Sequence, residues 1–246
     1  MSVIRSILHM LWMALTIVPF SLAIVLAAFL GVSRAQRYRI AATWLGLCSL
    51  SGGRWLLGIH TRITGLENLP TGEKSPAVLL VKHQSTFETF LMPAIMPHPL
   101  AYVFKKELLY VPFFGWAISR LDMIHIDRKL RTQSFKRVVE QGKERLAQGI
   151  WIIMFPEGTR TERGQKGHYE TSGTLLAVQT GAPVIPIAIS SAKCWPRRAF
   201  IKTPGIVDVS IGKPIPSAGR HHKELMREVE IWIEAEMRRI DPDAYR

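Results

Sequence analysis

His83 and Glu88, in the segment KHQSTFE at residues 82–88, are of the types that together can move a proton. A histidine changes charge near neutral pH. A carboxylate bonded to one ring nitrogen fixes its tautomer and stabilises the imidazolium formed on proton uptake. Along one continuous helix a five-residue offset would splay the two side chains about 140° apart, at roughly 100° per residue, so the pair requires a turn between them. A helix starting near Ser85 supplies that turn, leaving His83 in the preceding loop and Glu88 in the first helical turn. This is the histidine and acid half of a triad, without a protein nucleophile. The same spacing has a second reading, because Ser85 and Glu88 also fit a helix-capping box, which would give Glu88 a purely structural task. Ser85 itself lacks the G-x-S-x-G surroundings of a nucleophilic elbow.

A second constellation is FPEGTR at residues 155–160. Proline and glycine around a carboxylate make a tight turn in which Gly158 can take positive φ and expose backbone N–H groups, while Arg160 offers a planar fork for phosphate. Glu157, Gly158, Thr159 and Arg160 are thus candidate substrate-binding residues; a plain turn is the competing reading. Between the two motifs, Lys105 and Arg128 bracket the apolar and aromatic run LYVPFFGW and are further phosphate candidates, against the ordinary reading of solvated surface charges. The eight histidines show no H-E-x-x-H spacing, and neither a Walker A loop nor a dinucleotide-binding glycine fingerprint occurs, so no metal or cofactor is expected.

The elements that must position these residues read as an α/β fold: a largely parallel central sheet flanked by helices, with an N-terminal membrane-embedded helical segment. Strands are expected at 77–82, 101–105, 123–126, 150–155, 184–189 and 206–212. Residues 131–148 place Phe135, Val138, Val139, Gly142 and Leu146 on one helical face, with Gly149 as a C-terminal stop, and residues 220–240 do likewise with Leu225, Val229, Trp232, Ile233, Met237 and Ile240. In such sheets chemistry gathers beyond the carboxyl ends of strands, here the loops after Lys82, Phe104, Ile126 and Phe155.

Residues 7–32 carry no formal charge apart from a titratable His9 and are long enough to cross a bilayer. The stretch is longer than the apolar core of a usual signal peptide and is followed by the basic SRAQRYR. Pro19 could divide it into a hairpin that dips into one leaflet. The apolar residues 40–60, with Trp44 and Trp55, read equally as interfacial or as a core helix. The division expected is therefore a membrane-associated part, residues 1–62, and an α/β domain, residues 63–246. Net charge is +13, from 32 Lys and Arg against 19 Asp and Glu, yet the first acidic residue is Glu67. Basic residues punctuating an apolar opening suit an anionic membrane lipid surface rather than a nucleic acid. The arginines at 34–39 would keep their side, and the α/β domain, in the cytoplasm, at the inner (cytoplasmic) membrane. Cys48 and Cys194 lie far apart in unlike contexts and indicate no disulfide framework.

In order, KHQSTFE, KKEL with PFFG and IDR, FPEGTR and VIPI resemble the four sequence blocks of the glycerolipid acyltransferase family, and within it the branch acting on 1-acyl-sn-glycerol 3-phosphate. The resemblance spans residues 77–190 and includes the apolar N-terminus. It departs in the first block, where Lys82 replaces the family's Asn before the histidine and Glu88 its Asp. The resemblance implies transfer of a fatty acyl group from an acyl thioester, on coenzyme A or acyl carrier protein, to the sn-2 hydroxyl of lysophosphatidic acid, giving phosphatidic acid. His83 would be the base, oriented by Glu88, without metal or covalent acyl-enzyme. Another lysolipid acceptor such as lyso-ornithine lipid, a lipid hydrolase, or a non-catalytic module for anionic membranes are the alternatives.

Overall fold

The structure, a computed structural model, describes residues 1–126 and 131–245, so Arg128 and the side chain of Phe135 lie outside the described residues. The elements are α1 (Ser2–Phe29), α2 (Arg34–Gly46), two π-helical turns (Leu47–Ser51 and Gly53–Leu57), β1 (Ile59–Thr64), β2 (Val78–Val81), α3 (Phe87–Ile95), β3 (Leu100–Lys105), α4 (Phe114–Ile118), β4 (Ile124–Ile126), α5 (Arg131–Ala147), β5 (Trp151–Met154), α6 (Ser172–Thr180), β6 (Val184–Ile189), β7 (Gly205–Ile211) and α7 (His222–Ile240).

Among the described residues the strands form one seven-stranded sheet ordered β1-β7-β6-β2-β5-β3-β4. Strands β6, β2, β5, β3 and β4 pair parallel, and β7 turns antiparallel to β6 while pairing parallel with β1. All six expected strands are present. The central ones are short aliphatic runs buried on both faces, as a covered parallel sheet demands. Alternation along β2 sends Leu79 and Val81 into the core shared with α3, and Val78 and Leu80 into the core shared with α5, α6 and α7. On that second face Gly142 of α5 lets α6 approach closely, since a Cβ there would meet Leu176 Cδ1 at 2.9 Å.

The chain leaves β2 through α3 on one face toward β3, and leaves β5 through α6 on the other face toward β6. Because β2 and β5 are neighbours and their connections depart in opposite directions, a crevice opens beyond their carboxyl ends. Both principal motifs sit there.

In the N-terminal half one element differs from expectation, and at Pro19 one of two open alternatives is found. Residues 59–64 form a sheet strand, β1, rather than the tail of an apolar helix, and the expected boundary after Arg62 falls inside it. Pro19 does not break α1, which is one helix of 28 residues. Contacts on both sides of the proline hold it against the domain. Ser6 Oγ accepts the Lys202 N–H at 2.9 Å, His9 Nε2 donates to the Cys48 carbonyl at 2.8 Å, and Trp44 Nε1 donates to Thr16 Oγ1 at 2.9 Å, while Ile24 packs with Ala41 and Ala117 beyond it. Together these offset the one helical bond a proline removes. The opposite face of α1 exposes Ile4, Leu8, Leu11, Leu15, Leu22 and Leu26, and the helix is long and apolar enough to cross a membrane. In the segment 40–60, Trp44 is buried and Trp55 is exposed.

Candidate active site

β2 ends at Val81, and Lys82 N still donates to the Ile187 carbonyl at 2.9 Å, so the strand holds the backbone rigid up to the residue before His83. The turn required between His83 and Glu88 is present, with α3 starting at Phe87. His83 Nδ1 lies 2.9 Å from Glu88 Oε1. That oxygen also accepts the N–H groups of Gln84 at 2.7 Å and Ser85 at 2.6 Å, and Oε2 accepts the Ser191 hydroxyl at 2.7 Å. Glu88 therefore contacts the histidine and ties down the chain ahead of the helix with the same carboxylate, while the capping box is only half formed, because Ser85 Oγ accepts the Phe87 N–H rather than that of Glu88.

With Nδ1–H given to Glu88, the lone pair of a neutral ring resides on Nε2, which makes no hydrogen bond among the described residues. The ring lies flat against Phe155, with centroids 3.8 Å apart and planes 13° apart, and the side chain retains 13% exposure. Nε2 is thus the atom able to take a proton from an entering molecule. Ser85 is fully buried and its Oγ accepts the Phe87 N–H at 3.0 Å, which removes it from contention as a nucleophile.

The FPEGTR loop, leaving the neighbouring strand β5, wraps the histidine's backbone. Thr161 N donates to the His83 carbonyl at 2.8 Å, and His83 N donates to Glu157 Oε2 at 3.2 Å. Gly158 takes the positive φ of 63° expected of it, on an exposed turn closed by its N–H to the Phe155 carbonyl at 3.0 Å, and Thr159 is exposed beside it. Glu157 faces inward instead. It is buried, 3.1 Å from the ammonium of Lys82, and burial pushes its carboxyl up to about 7 against the pull of that ammonium. Arg160 is half-buried with no carboxylate partner among the described residues, and its Nε is buried without a hydrogen bond. Lys105 is exposed at the carboxyl end of β3, two strands from His83 on the same edge of the sheet.

An apolar cavity of about 160 Å³ lies between α1, α2, α3 and β3, lined among others by Ile17, Phe20, Tyr38, Trp44, Phe90 and Phe104. Tyr102, also in its wall, has its ring 6.2 Å from Phe155, the ring on which His83 rests. A single aromatic side chain thus stands between the cavity wall and the histidine.

Ser191, at the end of β6, is a site residue that sequence reasoning missed; nothing in ISSAK distinguishes it, and only the adjacency of β6 and β2 brings it to Glu88. Ser191→Ala is expected to lower kcat about tenfold with KM nearly unchanged, since a buried charge-assisted bond that fixes Glu88 is lost. Steady-state kinetics of the folded variant check this.

Comparison with known proteins gives a consistent result. The Acyltransferase family matches residues 60–190. The 1-acyl-sn-glycerol-3-phosphate acyltransferase of Pseudomonas aeruginosa is 43% identical over 192 residues, covering 77% of this chain and 73% of that one. The alpha 1-acyl-sn-glycerol-3-phosphate acyltransferase of Homo sapiens is 30% identical over 169 residues, covering 68% of this chain and 58% of that one. The crystal structure of the 1-acyl-sn-glycerophosphate (LPA) acyltransferase PlsC from Thermotoga maritima superposes with a TM-score of 0.78 at 25% identity, covering 97% of each chain.

Proposed function

The chain belongs to the acyltransferase family, and from that premise we propose that it moves a fatty acyl group from an acyl thioester to the sn-2 hydroxyl of 1-acyl-sn-glycerol 3-phosphate, forming phosphatidic acid for phospholipid synthesis. The observation that carries this reading is the His83–Glu88 pair at 2.9 Å with Nε2 open, beside an apolar cavity and, among the described residues, without a nucleophilic side chain bonded to the histidine. The acceptor hydroxyl is then the nucleophile. Nε2 takes its proton as the oxygen attacks the thioester carbonyl, Glu88 stabilises the imidazolium, and the proton passes to the departing thiolate. The exposed turn at Gly158 and Thr159 leaves room for the acceptor's polar end, and Arg160, with no carboxylate of its own among the described residues, supplies charge for its phosphate. Lys105 lies toward the same edge as a further phosphate contact, and Arg128 is proposed for that role from its place in the sequence alone. Glu157 acts from within, by holding the His83 main chain. The apolar cavity suits an acyl chain.

No cofactor enters this scheme; the donor is acyl-coenzyme A or acyl carrier protein as a substrate. The exposed apolar face of α1 seats the enzyme in an anionic bilayer, and Arg34, Arg37 and Arg39 favour the cytoplasmic side of the inner membrane for the catalytic domain. Two of these arginines also fasten α2 to the domain, Arg34 through Asp122 at 2.7 Å and Arg37 through the Arg120 carbonyl at 2.7 Å.

Labelled acyl transfer from each donor to a panel of lysolipids, with purified protein in detergent, tests the proposal. Selective formation of phosphatidic acid supports it, transfer to another lysolipid replaces the acceptor, and release of free fatty acid alone makes the protein a hydrolase. Arg160→Ala is expected to raise KM for lysophosphatidic acid by about 10- to 100-fold, the worth of a charge-assisted phosphate contact. An unchanged KM would remove Arg160 from the phosphate.

A further inference from the structure

Lys82, the residue at which this chain departs from the family's Asn, is wholly buried. Its ammonium lies 2.7 Å from Glu234 Oε1 on α7, 3.1 Å from Glu157 Oε1 and 3.3 Å from the Gln165 carbonyl oxygen, with the Tyr169 ring 5.7 Å away. The Tyr169 hydroxyl donates to Glu234 Oε1 at 2.8 Å, and the other oxygen of Glu157 accepts the His83 N–H. A polar path thus runs from the C-terminal helix, more than 140 residues away in sequence, to the backbone of the histidine.

A buried ammonium must be paired, but here one cation faces two carboxylates. In so dry a site the second negative charge is uncompensated unless a carboxyl takes a proton. We propose that Lys82 and Glu234 are positioning residues for acyl transfer: Lys82, anchored by Glu234, holds Glu157 as the carboxylate that fixes the His83 main chain, so turnover depends on the charge state of Glu157. This rests on His83 being the base.

The groups facing Glu157 are Lys82 and His83 from the end of β2, Glu234 from α7, Tyr169 from the segment before α6 and Tyr245 from the C-terminal segment. Of these, Lys82 favours the charged carboxylate and Glu234 opposes it, and with burial as the largest influence the carboxyl is raised to about 7. Protonation weakens its hold on both the ammonium and the His83 N–H. The two partners therefore act on Glu157 with opposite sign, which a merely structural ion cluster has no reason to reveal in the rate.

The test is the pH dependence of kcat for Lys82→Met and Glu234→Gln, with KM for both substrates and thermal unfolding in parallel. Lys82→Met is expected to move the acidic limb to higher pH and lower kcat at neutral pH by about tenfold or more, with KM within about twofold. Glu234→Gln, which keeps an oxygen for Lys82, is expected to move the limb to lower pH. If Lys82→Met fails to fold, the downward shift in Glu234→Gln carries the test alone. A carboxyl infrared band, assigned by its loss in Glu157→Gln, follows the same titration without turnover, so it stands or falls separately from the reaction assigned to His83. Opposite shifts in rate and band support the proposal. An unmoved limb in folded Glu234→Gln, or a fall in melting temperature alone, overturns it.

Discussion

His83→Ala is expected to lower kcat for acyl transfer by about 10²- to 10⁴-fold, the contribution of a positioned general base, while the protein stays folded. The fold survives because the three other donors to Glu88, the N–H groups of Gln84 and Ser85 and the hydroxyl of Ser191, remain in place when the imidazole is gone. The face of Phe155 loses its stacked partner, a loss of about 1 kcal/mol. Labelled acyl transfer, with circular dichroism and thermal unfolding of the same preparation, measures both sides of the statement. Turnover within tenfold of the unaltered protein, in a folded variant, would show that another group takes the proton.

The second large effect belongs to Glu88→Gln. The amide oxygen can occupy the position of Oε1 and keep the bonds from His83, Gln84 and Ser85, while the amide nitrogen donates to Ser191. The helix start and the histidine tautomer are then conserved, and only the negative charge facing the imidazolium is removed. A fall in kcat of about 10²- to 10³-fold with little change in melting temperature is expected, less than where an amide also imposes the wrong tautomer. Glu88→Ala differs in kind, because it leaves two buried N–H groups unpaired at roughly 1–3 kcal/mol each and lowers stability as well as rate. If Glu88→Gln turned over normally, the negative charge would play no part in the reaction, and residue 88 would serve only to orient His83 and hold the helix start.

The parts legible in the sequence were those that local chemistry dictates. Six strands announce themselves as short aliphatic runs between turn residues, and the faces of α5 and α7 follow from the helical period. The strand missed, β1, alternates buried and exposed along Ile59–Thr64, a period-two signal, but it directly follows an apolar helical stretch and finds its partner only in β7, some 146 residues away. Pro19 left a break in α1 open because the sequence shows the lost hydrogen bond and not the contacts of Ser6, His9 and Ile24 that keep α1 whole. Arg34 and Arg37 read as charges for a membrane surface, and their bonds to Asp122 and the Arg120 carbonyl depend on where α4 lies.

The sequence by itself determined the candidate groups for the chemistry. A histidine and an acid five residues apart, and a proline and glycine around Glu157 ahead of Arg160, are suited to proton transfer and to a phosphate-ready turn, because those properties reside in side-chain chemistry and local backbone preference. Only the tertiary structure decided which of these groups face the entering molecule and which face one another. Glu157 looks like part of the acceptor turn in the sequence, yet it points inward to Lys82 and the His83 N–H, and the residues that complete the site, Ser191 and Glu234, come from distant segments with no motif of their own. The physical reason is that a buried charge requires a partner but does not specify from which part of the chain it comes. The strand order β6-β2-β5 and the packing of α7 across one face of the sheet make that choice.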